Sequence, residues 1–327
     1  MKKQRKKSKG KFIKEVINLL SVILLAGVML LGLKVYSASE SNLTFAQISD
    51  AHFSTAKTNT SYRLTAESRE LLQDAIVQVN ETPGVDFVMF TGDLVNTSYH
   101  KELMAFLSYA NQLNVPWYAV LGNHDICVGG FLSKKVYWDI LNSHNKNFNF
   151  SRTYYSFSPK KGYMVIGLDP VIDTRITSNG EISKEQLKWL DKQLLRSKND
   201  IVLIFMHHPL VEPLHSESHR ILNSDEVLKV ITKYKNPIAV FSGHYHTTKI
   251  TQIGNILHVS TPALVSYPNA FRIIKINKQK GKVIFDICFK ETRYKDVQKR
   301  AKMMAFGSST YYGAESDRSG TYVIEKK

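Results

Sequence analysis

Trp117-Tyr118-Ala119-Val120-Leu121-Gly122-Asn123-His124-Asp125 is the stretch that decides how this chain is read. A short apolar run ends abruptly at a glycine, and an amide, an imidazole and a carboxylate follow. An apolar run of this length, closed by a turn residue, reads as a buried strand. Polar groups just past its carboxyl end fall where open α/β sheets bind ligands. The same punctuation recurs along the chain. Leu43–Ser49 ends in Asp50-Ala51-His52, and Phe87–Thr91 ends in Gly92-Asp93. Ile201–Met206 ends in His207-His208-Pro209, and Ile238–Ser242 ends in Gly243-His244-Tyr245-His246. A histidine after one strand is commonplace and is usually a satisfied polar group. Five strand ends that all deliver Asp, Asn or His describe a site.

Between these runs lie stretches with apolar residues at helical spacing, over Leu64–Val79, Leu103–Leu113, Lys184–Leu195 and Val227–Tyr234. Tyr154–Phe157 and Tyr163–Leu168 read as further strands. After Ser242 the pattern changes to strands with little helix between them, at Lys249–Ile253, Ile256–Val259, Phe271–Ile276 and Val283–Phe289. Alternation followed by consecutive strands predicts an α/β core completed by antiparallel strands. A helix is expected over Lys295–Met304. From Phe306 the chain is small and polar, and it is expected to fray or lie on the surface. There is no internal repeat and no long linker, so residues 43–290 read as one domain and 291–327 as a terminal helix and surface tail.

The chain has 327 residues and a net charge of +16. Much of that charge is local. Lys2, Lys3, Arg5, Lys6, Lys7, Lys9, Lys11, Lys14 and Lys34, against Glu15, give residues 1–39 half of the total. The rest of the chain is only moderately basic, which fits a solvated surface better than a nucleic-acid groove. Val16–Leu33 carries no charge, and at about 1.5 Å per residue a helix of that length approaches the thickness of a bilayer core. Behind a basic segment over residues 1–15, it reads as a transmembrane signal anchor over 16–36, with the body of the chain translocated. The competing reading is a signal peptide cut near Val35-Tyr36-Ser37 or Ser37-Ala38-Ser39. Cys127 and Cys288 are too few for a disulfide framework or a thiolate metal site, and two free thiols are expected.

Carboxylate, amide and imidazole donors without thiolate suit two divalent ions of the Mn, Fe or Zn type. Ions about 3.5–4 Å apart need a shared ligand, which a carboxylate supplies, and they lower the pKa of a water between them to make a nucleophile. The order Asp-x-His, Gly-Asp, Gly-Asn-His-Asp, His, Gly-His-x-His resembles the calcineurin-like metallophosphoesterase superfamily. The likeness is greatest to the bacterial branch of class III cyclic-nucleotide phosphodiesterases and glycerophosphodiesterases, and it spans residues 43 to 290. The resemblance implies a four-layer α/β/β/α sandwich of two mixed sheets. It implies that Asp50, His52 and His246 hold one metal, that Asn123, His207 and His244 hold the other, and that Asp93 bridges. His124 would stand near the leaving group, oriented by Asp125. Around these, His208 is expected to pack, while Asn96, Asp169, His215, His219, Tyr245, Thr261, Pro262 and Tyr267 are candidates for the surroundings.

A hydrolase of phosphomonoesters or phosphodiesters outside the cell is therefore expected, with a phosphate-ester substrate and the membrane as partners. The competing readings are an extracellular nuclease, with nucleic acid met only as substrate, and a non-catalytic metal-dependent binding domain. No basic stripe with interleaved aromatics supports the first, and the intact ligand set argues against the second. Substrate choice belongs to loops, here Gly129–Arg152 and the stretch after His207.

Overall fold

The computed structural model describes residues 16–29, 42–126, 131–306 and 308–325. The N-terminal unit contributes one helix, α1 (residues 16–29), whose side chains are exposed throughout. Among the described residues no helix is long and apolar enough to cross a membrane. The remainder of the expected span, the basic segment 1–15, the possible cleavage sites and Cys127 lie outside the described residues. Cys288 is an exposed free thiol.

From Leu43 onward the chain builds two six-stranded mixed sheets. The first runs β12-β11-β10-β1-β2-β3, from β1 (Leu43–Ile48), β2 (Phe87–Thr91), β3 (Trp117–Val120), β10 (Ala270–Gln279), β11 (Lys282–Glu291) and β12 (Gly320–Glu325). The second runs β4-β5-β6-β7-β9-β8, from β4 (Tyr155–Phe157), β5 (Tyr163–Gly167), β6 (Ile201–Phe205), β7 (Ile238–Ser242), β8 (Lys249–Ile253) and β9 (Ile256–Ser260). β1, β2 and β3 are mutually parallel, with Phe45 opposite Phe87 and Val88 opposite Trp117. β5, β6, β7 and β9 are likewise parallel.

The sheets face each other across an apolar layer in which Phe45, Phe87, Phe205 and Phe241 interlock, the ring of Phe45 stacked on Phe87 and edge-on to Phe205 and Phe241. Such pairs add about 0.5–1.5 kcal/mol each beyond the area they bury. The outer face of the first sheet is covered by α2 (Ser68–Asn80), α3 (His100–Ala110) and α5 (Lys134–His144), through Leu72, Ile76, Phe106 and Trp138. The outer face of the second is covered by α6 (Lys184–Arg196) and α7 (Ser224–Ile231), through Leu190, Leu194, Val227 and Ile231. Central strands buried on both faces explain why their sequences are continuous apolar runs rather than alternating ones. This is the four-layer sandwich expected.

Three features depart from expectation. β9 pairs parallel to β7, with β8 crossing to the sheet edge outside it, so the late strands are not all antiparallel. The irregular stretch after Gly129 contains α5, whose first turn is capped by the Ser133 hydroxyl accepting from Val136 N. The tail from Phe306 does not simply fray. It forms α9 (Ser308–Tyr312), α10 (Glu315–Arg318) and the edge strand β12, paired to β11 from Gly320 to Glu325. Buried Arg272 holds this segment: its guanidinium donates to the carbonyls of Arg318 and Asp317, both at 2.8 Å, and to Thr261 Oγ1 at 3.1 Å. Asp317 in turn accepts from Ile250 N at 3.0 Å, which ties α10 to β8.

Candidate metal centre

The carboxyl ends of β1, β2 and β3 in one sheet, and of β6 and β7 in the other, meet at one place. Asp50 and His52 follow β1, Asp93 follows β2, and Asn123 opens the short helix α4 (Asn123–Ile126) after β3. His207 follows β6, and His244 and His246 follow β7. All seven are buried. The strand ends are stitched to one another: Asp50 N donates to Gly92 O, His52 N to Asp93 O and Gly243 N to His207 O.

The turns that aim these side chains bend the backbone into the left-handed region at Asp50, His52, Asp93, His244 and His246, with φ between 35° and 70°. For residues with a Cβ this conformation is uncommon and strained, and it concentrates at functional sites. Gly122 and Gly243 have no freedom to become larger. A Cβ on Gly122 would overlap the backbone nitrogen and Oδ1 of Asp93, and one on Gly243 would overlap the side chains of Ser49 and Asp50.

Donor atoms converge in two groups that share Asp93. In the first, His246 Nε2 lies 3.3 Å from Asp50 Oδ1 and 3.3 Å from His52 Nε2. In the second, His244 Nδ1 lies 3.1 Å from His207 Nε2. Asp93 Oδ2 stands between them, 3.4 Å from His52 Nε2 and 3.3 Å from His207 Nε2. The sets Asp50–His52–His246 and Asp93–His207–His244 each bring their ligand atoms within 4.8 Å of one another. His207 Nδ1 lies 2.8 Å from Thr91 O, and His246 Nδ1 lies 2.9 Å from Ser266 Oγ, so each ring has its other nitrogen turned to the centre.

Electrostatics identify what the cluster fits. Asp50 and Asp93 are fully buried carboxylates, and among the described residues neither has a Lys or Arg ion-pair partner. Unpaired buried charge is costly. Burial alone would lower His207, yet the Asp93 and Asp50 carboxylates raise it to about 9. Burial would raise Asp93, but His207, His124 and His52 hold it well below the usual carboxylate range. Oδ1 of Asn123 is buried without a hydrogen-bond partner. Two carboxylates, four imidazoles and an orphaned amide oxygen are hard and borderline donors that a pair of divalent cations would satisfy.

His124 lies beside this cluster and is joined to it by its backbone N–H, which donates to Asp93 Oδ1 at 2.8 Å. Its Nδ1 is 2.9 Å from Asn96 O, and its Nε2 is 2.8 Å from Arg63 Nη1. Asp125 does not orient it. Oδ1 of Asp125 accepts from Leu94 N, Val95 N and Tyr137 Oη, and Oδ2 accepts from Gly122 N. Asp125 therefore ties the β2 and β3 turns together, and the histidine is held by the Asn96 carbonyl instead. Burial, together with the Asp93 charge, pushes Asp125 up to about 7, against those hydrogen bonds.

The surroundings divide. His208 packs: its ring lies 4.1 Å from that of His244, its Nε2 is 2.9 Å from Ser178 O, and burial with the neighbouring His207 lowers it to about 3. His219 lies over His244 with ring centroids 5.4 Å apart, whereas His215 points out and pairs with Glu212 and Glu217. Tyr245 Oη donates to Glu212. Asp169 is engaged by Lys134 and Thr153, and Thr261 by Gln47 and Arg272, as structural ties. Tyr267 packs on Tyr312. Arg63 and Tyr62, whose ring lies 5.8 Å from that of His246, were not legible in the sequence, because the loop between β1 and α2 has no periodicity.

The profile of the calcineurin-like phosphoesterase family matches residues 43–248, which contain every strand end described above. Among its relatives, a protein named a probable glycerophosphodiester phosphodiesterase of Arcobacter nitrofigilis is 29% identical over 233 residues, covering 70% of this chain and 81% of its own length. The 3',5'-cyclic adenosine monophosphate phosphodiesterase of Haemophilus influenzae is 25% identical over 246 residues, covering 70% and 79%. In fold, the chain is similar to a dimetal phosphatase from Danio rerio, with a TM-score of 0.64 at 17% identity, over 87% of this chain and 99% of that one. Sheets, strand ends and family profile agree, and the chain belongs to the calcineurin-like phosphoesterases, metal-dependent hydrolases of phosphate esters that use a dinuclear divalent centre.

Proposed function

We propose that this chain is a membrane-tethered phosphodiesterase acting outside the cytoplasm. The observation that carries the enzymatic part is Asp93 Oδ2, set between His52 and His207 so that one carboxylate serves both donor groups. Asp50, His52 and His246 would hold one ion, Asn123, His207 and His244 the other, and Asp93 would bridge. Bound there, two divalent ions supply Lewis acidity and an activated water. The chain's own residues do the rest. The Asn96 carbonyl holds the Nδ1 proton of His124, the Arg63 guanidinium covers its Nε2, and this cation meets the phosphoryl charge. The diester reading rests on relatives named as phosphodiesterases.

Tethering is supported by the exposed apolar helix α1 behind a block of Lys and Arg. The basic flank would keep the N-terminus inside and send the catalytic body across. Fractionation and N-terminal sequencing of the mature protein test this part. A soluble product beginning near Ala38 or Ser39 would remove the tether and leave the location outside.

A hydrolysis panel tests the enzymatic part, with bis(4-nitrophenyl) phosphate against 4-nitrophenyl phosphate under Mn²⁺, Fe²⁺ and Zn²⁺. The diester is expected to be turned over faster. Absence of turnover with every ion would sink the reading, and preference for single-stranded DNA over the small diester would replace it with a nuclease.

A further inference from the structure

Beside the metal centre lies an open cavity of 590 Å³ whose lining includes Ser61, Tyr62, Met303, Met304, Phe306 and Tyr311. Among the described residues no charged side chain lines it. Tyr62 joins the two: it lines this cavity, and its ring lies 5.8 Å from the ring of His246. The apolar side chains are not recruited by the core. α8 (Lys295–Met304) is anchored through Val297 and Ala301, while Met303 is 77% exposed and Phe306 95% exposed. Clustered exposed apolar groups next to a polar site mark a binding surface. Methionines and aromatic rings make it adaptable, and its volume suits a small organic group.

We propose that this cavity is the subsite for an apolar substituent, alkyl or aryl, on the ester arm of the phosphodiester that is not cleaved. The inference rests on the phosphodiesterase reading above. The arrangement is complementary to such a molecule. The phosphate belongs at the Asp93 cluster, where Arg63 supplies a cation with its guanidinium carbon 6.0 Å from the Tyr62 ring. The uncharged cavity is lined by that same tyrosine. A small polar substituent such as glycerol gains little from thioethers and rings, whereas an alkyl chain or flat aryl group leaves water by entering them.

The test compares kcat/KM of the full chain for methyl 4-nitrophenyl phosphate and octyl 4-nitrophenyl phosphate, which share a leaving group. The octyl ester is expected to be favoured at least about tenfold, chiefly through KM. Met303→Ser combined with Phe306→Ser should bring the ratio near one while the methyl ester is handled as in the wild type. Equal use of both esters by the wild type overturns the subsite and leaves the phosphodiesterase reading standing. If no ester is turned over, that reading fails separately, and binding of 1-naphthyl phosphate, followed by its fluorescence, decides the cavity. Enhancement that the double variant loses supports the subsite; no enhancement with the wild type overturns it. Phosphatidylglycerol vesicles distinguish the source of the substituent: their turnover beside the octyl ester assigns a lipid, and turnover of the octyl ester alone assigns a soluble diester. Dimerisation abolished by the double variant would give the cavity to a second copy and overturn the proposal.

Discussion

The Arg63 guanidinium lies 2.8 Å from His124 Nε2. Arginine only donates, so Nε2 accepts, and the ring proton sits on Nδ1 facing the Asn96 carbonyl. Burial also lowers the pKa of His124. A neutral imidazole in this tautomer has no Nε2 proton to hand to a departing alkoxide. His124 and Arg63 then act as one unit that positions a cation.

His124→Ala and Arg63→Ala are accordingly expected to slow alkyl and nitrophenyl diesters by similar factors, on the order of 10²-fold. The double variant should be little worse than either single one, because the two side chains share one task. Measurement of kcat/KM on both ester types checks this. A loss confined to alkyl esters would restore proton donation to His124.

Asp93→Asn should remove both metals together. The variant keeps the shape but loses the charge that both donor groups share, at 3.4 Å from His52 and 3.3 Å from His207. Metal content per chain, measured by atomic spectroscopy, is expected to fall below that of His246→Ala, where the second group stays whole. Turnover should fall by about 10³-fold or more. Full occupancy in Asp93→Asn would end the bridging assignment.

The strand ends were legible in the sequence because burial on both faces writes a continuous apolar run, and a glycine breaks it where the chain must turn. Less was legible where no local pattern existed. β9 reads as the return strand of a hairpin with β8, and its parallel pairing to β7 depends on contacts far apart in sequence. α5 was hidden in a mixed stretch, although Tyr137, Trp138 and Leu141 carry helical spacing. β12 looks like a polar tail because as an edge strand it buries little beyond Ile324. Arg63 sits in an aperiodic loop, and only the folded chain brings it to His124, 61 positions away.

Asp125 is expected to matter through stability rather than through chemistry. Four donors meet its carboxylate: three backbone N–H groups and the Tyr137 hydroxyl. Asp125→Asn replaces an acceptor by an NH₂ and leaves a buried N–H unsatisfied, at about 1–3 kcal/mol. Urea unfolding should show that loss, and Tyr137→Phe should show a smaller one. Turnover of alkyl and nitrophenyl esters should fall together. A normal unfolding midpoint with a selective loss on alkyl esters would return Asp125 to His124.

His258 sets an acid limit on the fold. It is buried in β9 with Nδ1 unpartnered, and burial lowers its pKa from 6.5 to about 4. The unfolded chain therefore binds a proton at a pH where the folded chain does not. Stability on this account is intact above pH 6.5 and is lost as pH falls toward 4, by about 3 kcal/mol in all. His258→Phe cannot titrate and should remove that slope. Urea midpoints for both proteins at pH 7.5, 5.5 and 4.5 provide the comparison, and parallel slopes would exclude His258 as the cause.

Metal removal should cost stability, and the backbone says where. Asp50, His52, Asp93, His244 and His246 all hold positive φ, at roughly 1–2 kcal/mol each for a residue with a Cβ. Their buried carboxylates and imidazoles add repulsion and lost solvation, which bound cations would offset while the backbone cost stays. At 100-fold excess over Kd, each bound ion adds about 2.7 kcal/mol. For a domain of this size, chelation should then lower Tm by roughly 5–10 °C per site emptied. His244→Asn separates strain from ligation. Asparagine tolerates the left-handed region better than histidine does, and it removes a ring whose buried Nε2 has no partner. The metal-free variant should therefore lose less than the roughly 2–5 kcal/mol usual for truncating a large buried side chain. Its response to Mn²⁺ should shrink by about one site's worth. Thermal unfolding of wild type and variant, each with Mn²⁺ and with EDTA, reads both quantities. A variant as destabilised without metal as with it would mean that His244 serves packing alone.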